Sequence, residues 1–335
     1  MVEGIATTAV IASINLGFDK TVGVRADMDA LPIKEQANVE YKSDTNMHAC
    51  GHDIHTAILL GVAKLLKKYE NQLENNIKFM FQPAEELLEG AKDMINSGIL
   101  NGVDEAYMIH VLVPASYDTG TVIISDNEIT APSCDYINID VIGKSVHGAM
   151  PNLGVDTIKI SSMIVNKLIN QNNDYTLTFG SIIGGNTFNI IPDRVNLKGT
   201  LRTYDENVRF VVKNKIIEIS NEIAKKFDGK VEIDFPTSAP VLINNLKLVE
   251  EFLEYVDKDM LDVVKTSELD GFKASGSEDF AYISQMVPSV MLSICAGKKE
   301  DGYIYPLHNE NVIFDENVLY YGILLFFNIA LKKAH

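Results

Sequence analysis

The stretch NIKFMFQPAEELLEGAKDM, residues 76–94, holds the decision about the fold. Seven residues alternate and cluster in the manner of a buried strand, Gln82-Pro83 stops them, two glutamates follow, and the chain then takes up helical periodicity. A strand that ends in acids and turns into a helix is half of a βαβ unit. The same rhythm extends to either side. IATTAVIASI and TVGVRA read as strands, HTAILLGVAKLLKKYENQ as an amphipathic helix, AKDMINSGI as a helix, and EAYMIHV as another strand. This predicts an α/β sheet with helical crossovers.

From about residue 134 to 240 the order changes to strand, helix, strand, strand, helix, strand, through YINIDVIG, DTIKISSMIVNKLIN, TLTFGSII, RVNLKGTLRTY, ENVRFVVKNKIIEISNEIAKKF and KVEIDF. That is a split βαβ, ferredoxin-like order, complete in itself. The segment beginning at APVLINN returns to helical runs and one apolar strand, SVMLSICAG. The expectation is therefore a domain of residues 134–240 inserted into a larger one made of 1–133 and 241–335.

Composition narrows the function classes. A chain of 335 residues with 46% hydrophobic content has enough material for two cores. A net charge of −17 without clustered Lys and Arg disfavours a nucleic-acid surface, which needs cations to displace counterions. Three widely spaced cysteines, Cys50, Cys134 and Cys295, make no disulfide framework and fit a reducing compartment, so a cytoplasmic location is expected. MVEGIATTAVIASI has an acid where a signal peptide needs a basic region. LYYGILLFFNIAL is too short to span a bilayer. Neither export nor membrane insertion is expected.

Against that background MHACGHDIHT, residues 47–56, stands out, since it concentrates three of the seven histidines and one cysteine. Read as extended chain, Cys50 and His52 lie two apart and face the same side, where thiolate and imidazole suit a borderline cation. The plainer alternative is a helix start with incidental histidines. Glu85 and Glu86 arrive at a strand's carboxyl end, where open α/β sheets collect their chemistry, although acids in a first helical turn are also favoured by the helix dipole. His110 in AYMIHV and His308 in YPLHNENVIFDE have equally plain readings, as a core histidine and a loop histidine. Together, Cys50, His52, Glu86, His110 and His308 are five side chains of ligand type, which exceeds the four of a closed structural site. A hydrolytic centre with two metal ions, or one ion and spare residues, follows as the expectation. A cysteine hydrolase built on Cys50 would leave Glu85, Glu86, His110 and His308 unused.

RADMDALPIKE, MHACGHDIHTA, FQPAEE, HGAMPN, FNIIPD, GTLRTYD and GSEDF, in this order, closely resemble peptidase family M20, in particular its amidohydrolase branch. The resemblance runs nearly from end to end. It implies a mixed-sheet metallohydrolase domain carrying a ferredoxin-like lid or dimerisation domain. It also implies Cys50, His52, Glu86, His110 and His308 as ligands of two divalent ions (zinc, manganese, cobalt or nickel) and Glu85 as general base. Asp27, Asp29 and Asp53 are implied to support the ligands. On the lid it points to His147 as an oxyanion donor and to Asn189 and Arg202 as contacts of an α-carboxylate. The implied substrate is an N-acyl-L-amino acid and the implied assembly a homodimer through the lid, with a diaminopimelate-specific deacetylase or an inactive binding homologue as alternatives. Family members usually begin several tens of residues earlier, so a shortened member is expected. Bulky EELLEGA replaces the glycines that relatives typically place after the paired acids.

Overall fold

A computed structural model describes residues 2–5, 8–169, 174–256, 258–269, 274, 276–331. Its contacts divide the chain into two compact units, Met1–Thr130, Leu242–Ala274 and Glu278–His335 in one, Ala131–Val241 and Ser275–Ser277 in the other.

The first unit is a mixed eight-stranded sheet. Its strands are β1 (Val2–Ile5), β2 (Ala9–Ile14), β3 (Thr21–Asp27), β4 (Asn76–Gln82), β5 (Glu105–Leu112), β6 (Val122–Ile124), Val263–Lys265 and Ser289–Cys295. In space the order is β1, β2, β4, β3, β5, Ser289–Cys295, β6, Val263–Lys265. The four central strands β4, β3, β5 and Ser289–Cys295 run parallel, so their carboxyl ends share one edge. The run expected as one strand over 5–14 is instead two antiparallel strands, with residues 6 and 7 outside the described residues.

Alternation sorts the side chains of these strands onto two faces. Val22, Val24 and Ala26 of β3, Ile77, Phe79 and Phe81 of β4, and Tyr107, Ile109 and Val111 of β5 enter the main core. They pack there with Ile58, Leu59, Val62 and Leu66 of helix α1 (His52–Lys68) and with Leu325, Phe326 and Ile329 of the C-terminal helix Val318–Leu331. Arg25 and Met108 have the opposite parity and meet on the other face, the guanidinium Nη1 3.7 Å from the thioether sulfur. The helix expected over 91–99 is α2 (Gly90–Asn96). Its entry allows no side chain at residue 90, because a Cβ there would stand 1.7 Å from the Pro83 carbonyl oxygen. Among the described residues no helix is long and apolar enough to cross a membrane.

In the second unit an antiparallel sheet runs in the order Tyr175–Ile183, Arg194–Thr203, Cys134–Ile142, Lys230–Asp234. With chain order numbered one to four this is 2-3-1-4, the ferredoxin-like arrangement. Helices Thr157–Leu168 and Glu206–Lys226 pack Ile160, Ile164, Val212 and Ile216 onto Ile137, Ile139, Val195 and Leu197. Both helices start at an aspartate, Asp156 or Asp205, whose carboxylate accepts the first-turn amides.

Candidate metal centre

The parallel edge of the first unit gathers the ligand-type residues. Asp27 closes β3, Gln82 closes β4 and passes the chain to Glu85 and Glu86, and His110 lies near the end of β5. Cys50 and His52 arrive by a different route from the extended one expected. Cys50 lies in a turn, Gly51 takes the left-handed conformation at φ 81°, and His52 opens α1. The turn, not strand alternation, brings the thiol and imidazole together. Gly51→Ala is expected to cost about 3 kcal/mol in a thermal melt, combining a left-handed backbone with crowding, since a Cβ would meet Val111 Cγ2 at 2.4 Å.

His308 is drawn in from far along the sequence by its amide, which donates to the Ala49 carbonyl at 2.8 Å. Its own φ is 65°, an uncommon conformation for a histidine, and strain of that kind is retained where surrounding contacts over-determine it. The donor atoms of Cys50, His52 and His110 lie within 4.8 Å of one another, and the same holds for Cys50, Glu86 and His308, and for His52, Glu85 and Glu86.

The ring nitrogens have distinct duties. His52 Nδ1 faces Asp29 Oδ1 at 3.2 Å, and the other Asp29 oxygen accepts the Glu86 amide at 2.9 Å. One carboxylate thus orients a histidine and a glutamate together, and leaves His52 Nε2 pointing inward. His110 Nδ1 donates to the Val111 carbonyl at 2.8 Å, which leaves its Nε2 3.5 Å from the Cys50 sulfur. His52 Nε2 and Glu86 Oε1 are buried without a hydrogen-bond partner, and His308 Nε2 approaches that Oε1 to 3.2 Å. A buried imidazole nitrogen and carboxylate oxygen without a hydrogen bond, beside a thiol and further imidazoles, suit a soft-to-borderline divalent cation.

His55 is different, and the sequence reading gave it no role. Its Nδ1 lies 2.6 Å from Asp27 Oδ1, and its Nε2 accepts the Val111 amide at 2.9 Å. Both of its nitrogens are engaged, and with Asp27 and His52 it forms a further buried group of donor atoms within 4.8 Å of one another. Its ring sits 5.5 Å from that of His52 and 4.8 Å from that of His110.

Electrostatics in the pocket are dominated by acids. Burial, then Glu86 and Glu85, push the Cys50 thiol well above its usual range, which opposes a nucleophilic thiolate. Burial opposes charging of His52, but Asp27 and Asp29 outweigh it and raise the ring to about 9. Burial lowers His110 to about 4. Glu85 is raised well above the carboxylate range by burial and by Glu278 and Asp279. It is 6% exposed. Asp27 goes the other way, since His55, Arg25 and His52 outweigh its burial. Six carboxylates, of Asp27, Asp29, Glu85, Glu86, Glu278 and Asp279, thus accompany Arg25 here.

Asp53 does not join them. One residue along from His52 on α1, it is turned outward, is exposed, and accepts the amide of Ile54. Conversely, Arg25, Glu278 and Asp279 belong to the cluster, although sequence reasoning quoted RADMDALP and GSEDF without giving these three a role. In the second unit His147 pairs with Ile190 in a two-residue ladder and is exposed, its Nδ1 accepting the Ala149 amide at 3.1 Å. A neutral ring then carries its proton on Nε2, as a donor. Asn189 accepts the Thr187 hydroxyl at 3.0 Å and, by its carbonyl, the Gly148 amide at 2.7 Å. Arg202 Nη1 donates to Ser277 at 2.9 Å.

Residues 23–332 match Peptidase family M20/M25/M40. The chain belongs to peptidase family M20. Among curated M20 relatives, thermostable carboxypeptidase 2 of Saccharolobus solfataricus is 36% identical, over 99% of this chain and 86% of its own. Hippurate hydrolase of Campylobacter jejuni is 33% identical, over 98% and 86%. A solved structure of the Bacillus subtilis YXEP protein, described as a dinuclear metal binding peptidase from the M20 family, superposes with a TM-score of 0.82 at 27% identity, covering 99% of this chain and 86% of that one. The M20 assignment accounts for the α/β unit and its ferredoxin-like companion.

Proposed function

We propose that this chain, an amide hydrolase of family M20, cleaves N-acyl-L-amino acids to a carboxylic acid and a free amino acid at a centre of two divalent ions. The observation that carries the reading is the convergence of sulfur, nitrogen and oxygen donors of Cys50, His52, Glu86, His110 and His308 in overlapping groups of three. Cys50, His52, Glu86, His110 and His308 would hold the ions, Cys50 belonging to two of the triads. When bound, such ions polarise the scissile carbonyl and lower the pKa of water.

The chain's own residues do the rest. Glu85, beside His52 and Glu86, takes the proton of the attacking water on its carboxylate and returns it to the departing amide nitrogen. Its acid-rich, buried setting suits a group that must hold that proton between the two events. Asp29 and Asp27 keep the imidazoles oriented. To Arg202 and Asn189 we assign the substrate α-carboxylate, and to His147 Nε2–H the oxyanion of the tetrahedral intermediate. The free carboxylate is a requirement shared by an N-acyl amino acid and by the C-terminal residue of a peptide, which accommodates both curated relatives. The ions would be zinc, manganese, cobalt or nickel, the assembly a homodimer through the second unit, and the location cytoplasmic.

Purified protein supplied with each ion is incubated with N-acetyl amino acids, N-acetylcysteine, N-acetyldiaminopimelate, hippurate and short peptides. Amine release that disappears with EDTA supports the reading. Preference for N-acetyldiaminopimelate would narrow it, and no release with any ion would point to a binding homologue.

Metal uptake also has a proton signature. Near pH 7 the Cys50 thiol is protonated and His52, raised to about 9, is charged, so both must shed a proton to ligate. Because Glu86 also raises His308, calorimetry in buffers of different ionisation enthalpy is expected to show release of about two to three protons per chain, with affinity rising from pH 6 towards 9.

A further inference from the structure

Arg25 is completely buried on the sheet face away from the main core, and besides the Met108 sulfur its guanidinium meets four oxygen-bearing side chains. Nε donates to Gln82 Oε1 at 3.0 Å, Nη1 to Asp27 Oδ2 at 2.8 Å, and Nη2 to Asp279 Oδ1 at 2.8 Å, with Glu278 Oε1 at 3.0 Å from the same nitrogen. Each partner is fixed a second time. Gln82 donates to both oxygens of Asp279 at 2.8 Å, the Ala91 amide reaches Asp279 at 2.9 Å, and the Phe280 amide reaches Glu278 at 3.0 Å.

The partners lead to both halves of the centre. Asp27 passes its other oxygen to His55, whose ring packs against those of His52 and His110. Glu278 and Asp279 stand with Glu85 in a buried group of three carboxylates, their oxygens within 4.8 Å. We propose that Arg25 is the positioning residue of the centre, one rigid planar cation that sets the imidazole ligands through Asp27 and His55 and sets Glu85 through Glu278 and Asp279. The role it refines rests on the amide-hydrolase reading above.

A purely stabilising role explains the arrangement less well. Removing a guanidinium and three carboxylates from water is costly, and apolar residues of similar volume commonly do as well for stability. What a packed apolar core lacks is three donor directions in one plane, and a lysine lacks them too, because its ammonium is a single point on a flexible stem.

The test is therefore Arg25→Lys, with Asp279→Asn as the variant that removes one ion pair while keeping the shape of its side chain. Cobalt(II) is titrated into metal-free protein and followed by its visible absorption. Both variants are expected to bind cobalt at least tenfold more weakly with an altered absorption envelope, the range seen when groups behind metal ligands are changed. On the best substrate of the parent, kcat is expected to fall 10- to 100-fold while KM moves less than threefold. Cobalt affinity and absorption equal to the parent, with kcat reduced only in proportion to the unfolded fraction, would overturn the proposal, as would a parent that takes up no cobalt. If Arg25→Lys does not fold, Asp279→Asn decides by the same titration. If the parent binds cobalt but releases no amine from any substrate, the hydrolase reading fails by itself and the cobalt data still decide for Arg25.

Discussion

Glu85→Gln is expected to bind its metal normally and to lose about 10³-fold in kcat, the usual size of a general acid–base contribution. The amide is nearly the same shape as the carboxylate, so the loop from Pro83 to Gly90 has no reason to move. That loop is held by its own backbone, with the Leu88 amide donating to the Glu85 carbonyl at 2.7 Å and the Gly90 amide to the Ala84 carbonyl at 3.1 Å. Glu85 also sits among Glu278 and Asp279, where burial and like charges already favour its uncharged form, so a neutral amide is well accommodated. The variant should therefore melt no lower than the parent. Metal content by atomic absorption, the melting curve and kcat on the best substrate form the check. Retained activity would remove Glu85 from the mechanism, and loss of metal together with activity would make it a ligand.

Chelation is expected to have the other large effect, complete loss of amide hydrolysis together with a lower melting temperature. The acids of the centre outnumber Arg25 and His52, and bound cations would restore the balance. A ligand present at 1,000 times its dissociation constant stabilises by about 4 kcal/mol, on the order of 10 °C for a chain of this size. Dialysis against EDTA followed by stepwise return of cobalt or manganese should raise activity and melting temperature together. A cysteine hydrolase would keep its activity through that treatment. Alkylation of Cys50 does not separate the two readings, because a ligating thiol is lost as well.

The alternation of strand and helix was legible because both periods are written in apolar residues, as in NIKFMFQ and HTAILLGVAKLLKK. The ligand-type residues were legible as residue types near strand ends. What could not be read was how they meet. Cys50 and His52 converge through a left-handed glycine, and a two-residue spacing says nothing about that. His52 and His55 are indistinguishable in GHDIHT, yet the helix turns one inward, while Asp27 and the Val111 amide occupy the two nitrogens of the other. Asp53 looked equivalent to Asp27 and Asp29, but its place on α1 turns it to solvent. Arg25 lies in a strand, where an arginine is ordinarily a solvated cross-strand partner. Only the return of Glu278 and Asp279, some 250 residues later, makes it the centre of a buried group.

The bond from the His308 amide to the Ala49 carbonyl has a consequence for the newborn polypeptide. Cys50, His52, Glu86 and His110 leave the ribosome long before His308 does, and before Glu278 and Asp279 have been translated. The centre is therefore completed only when the segment around His308 folds back onto the turn that carries Ala49 and Cys50.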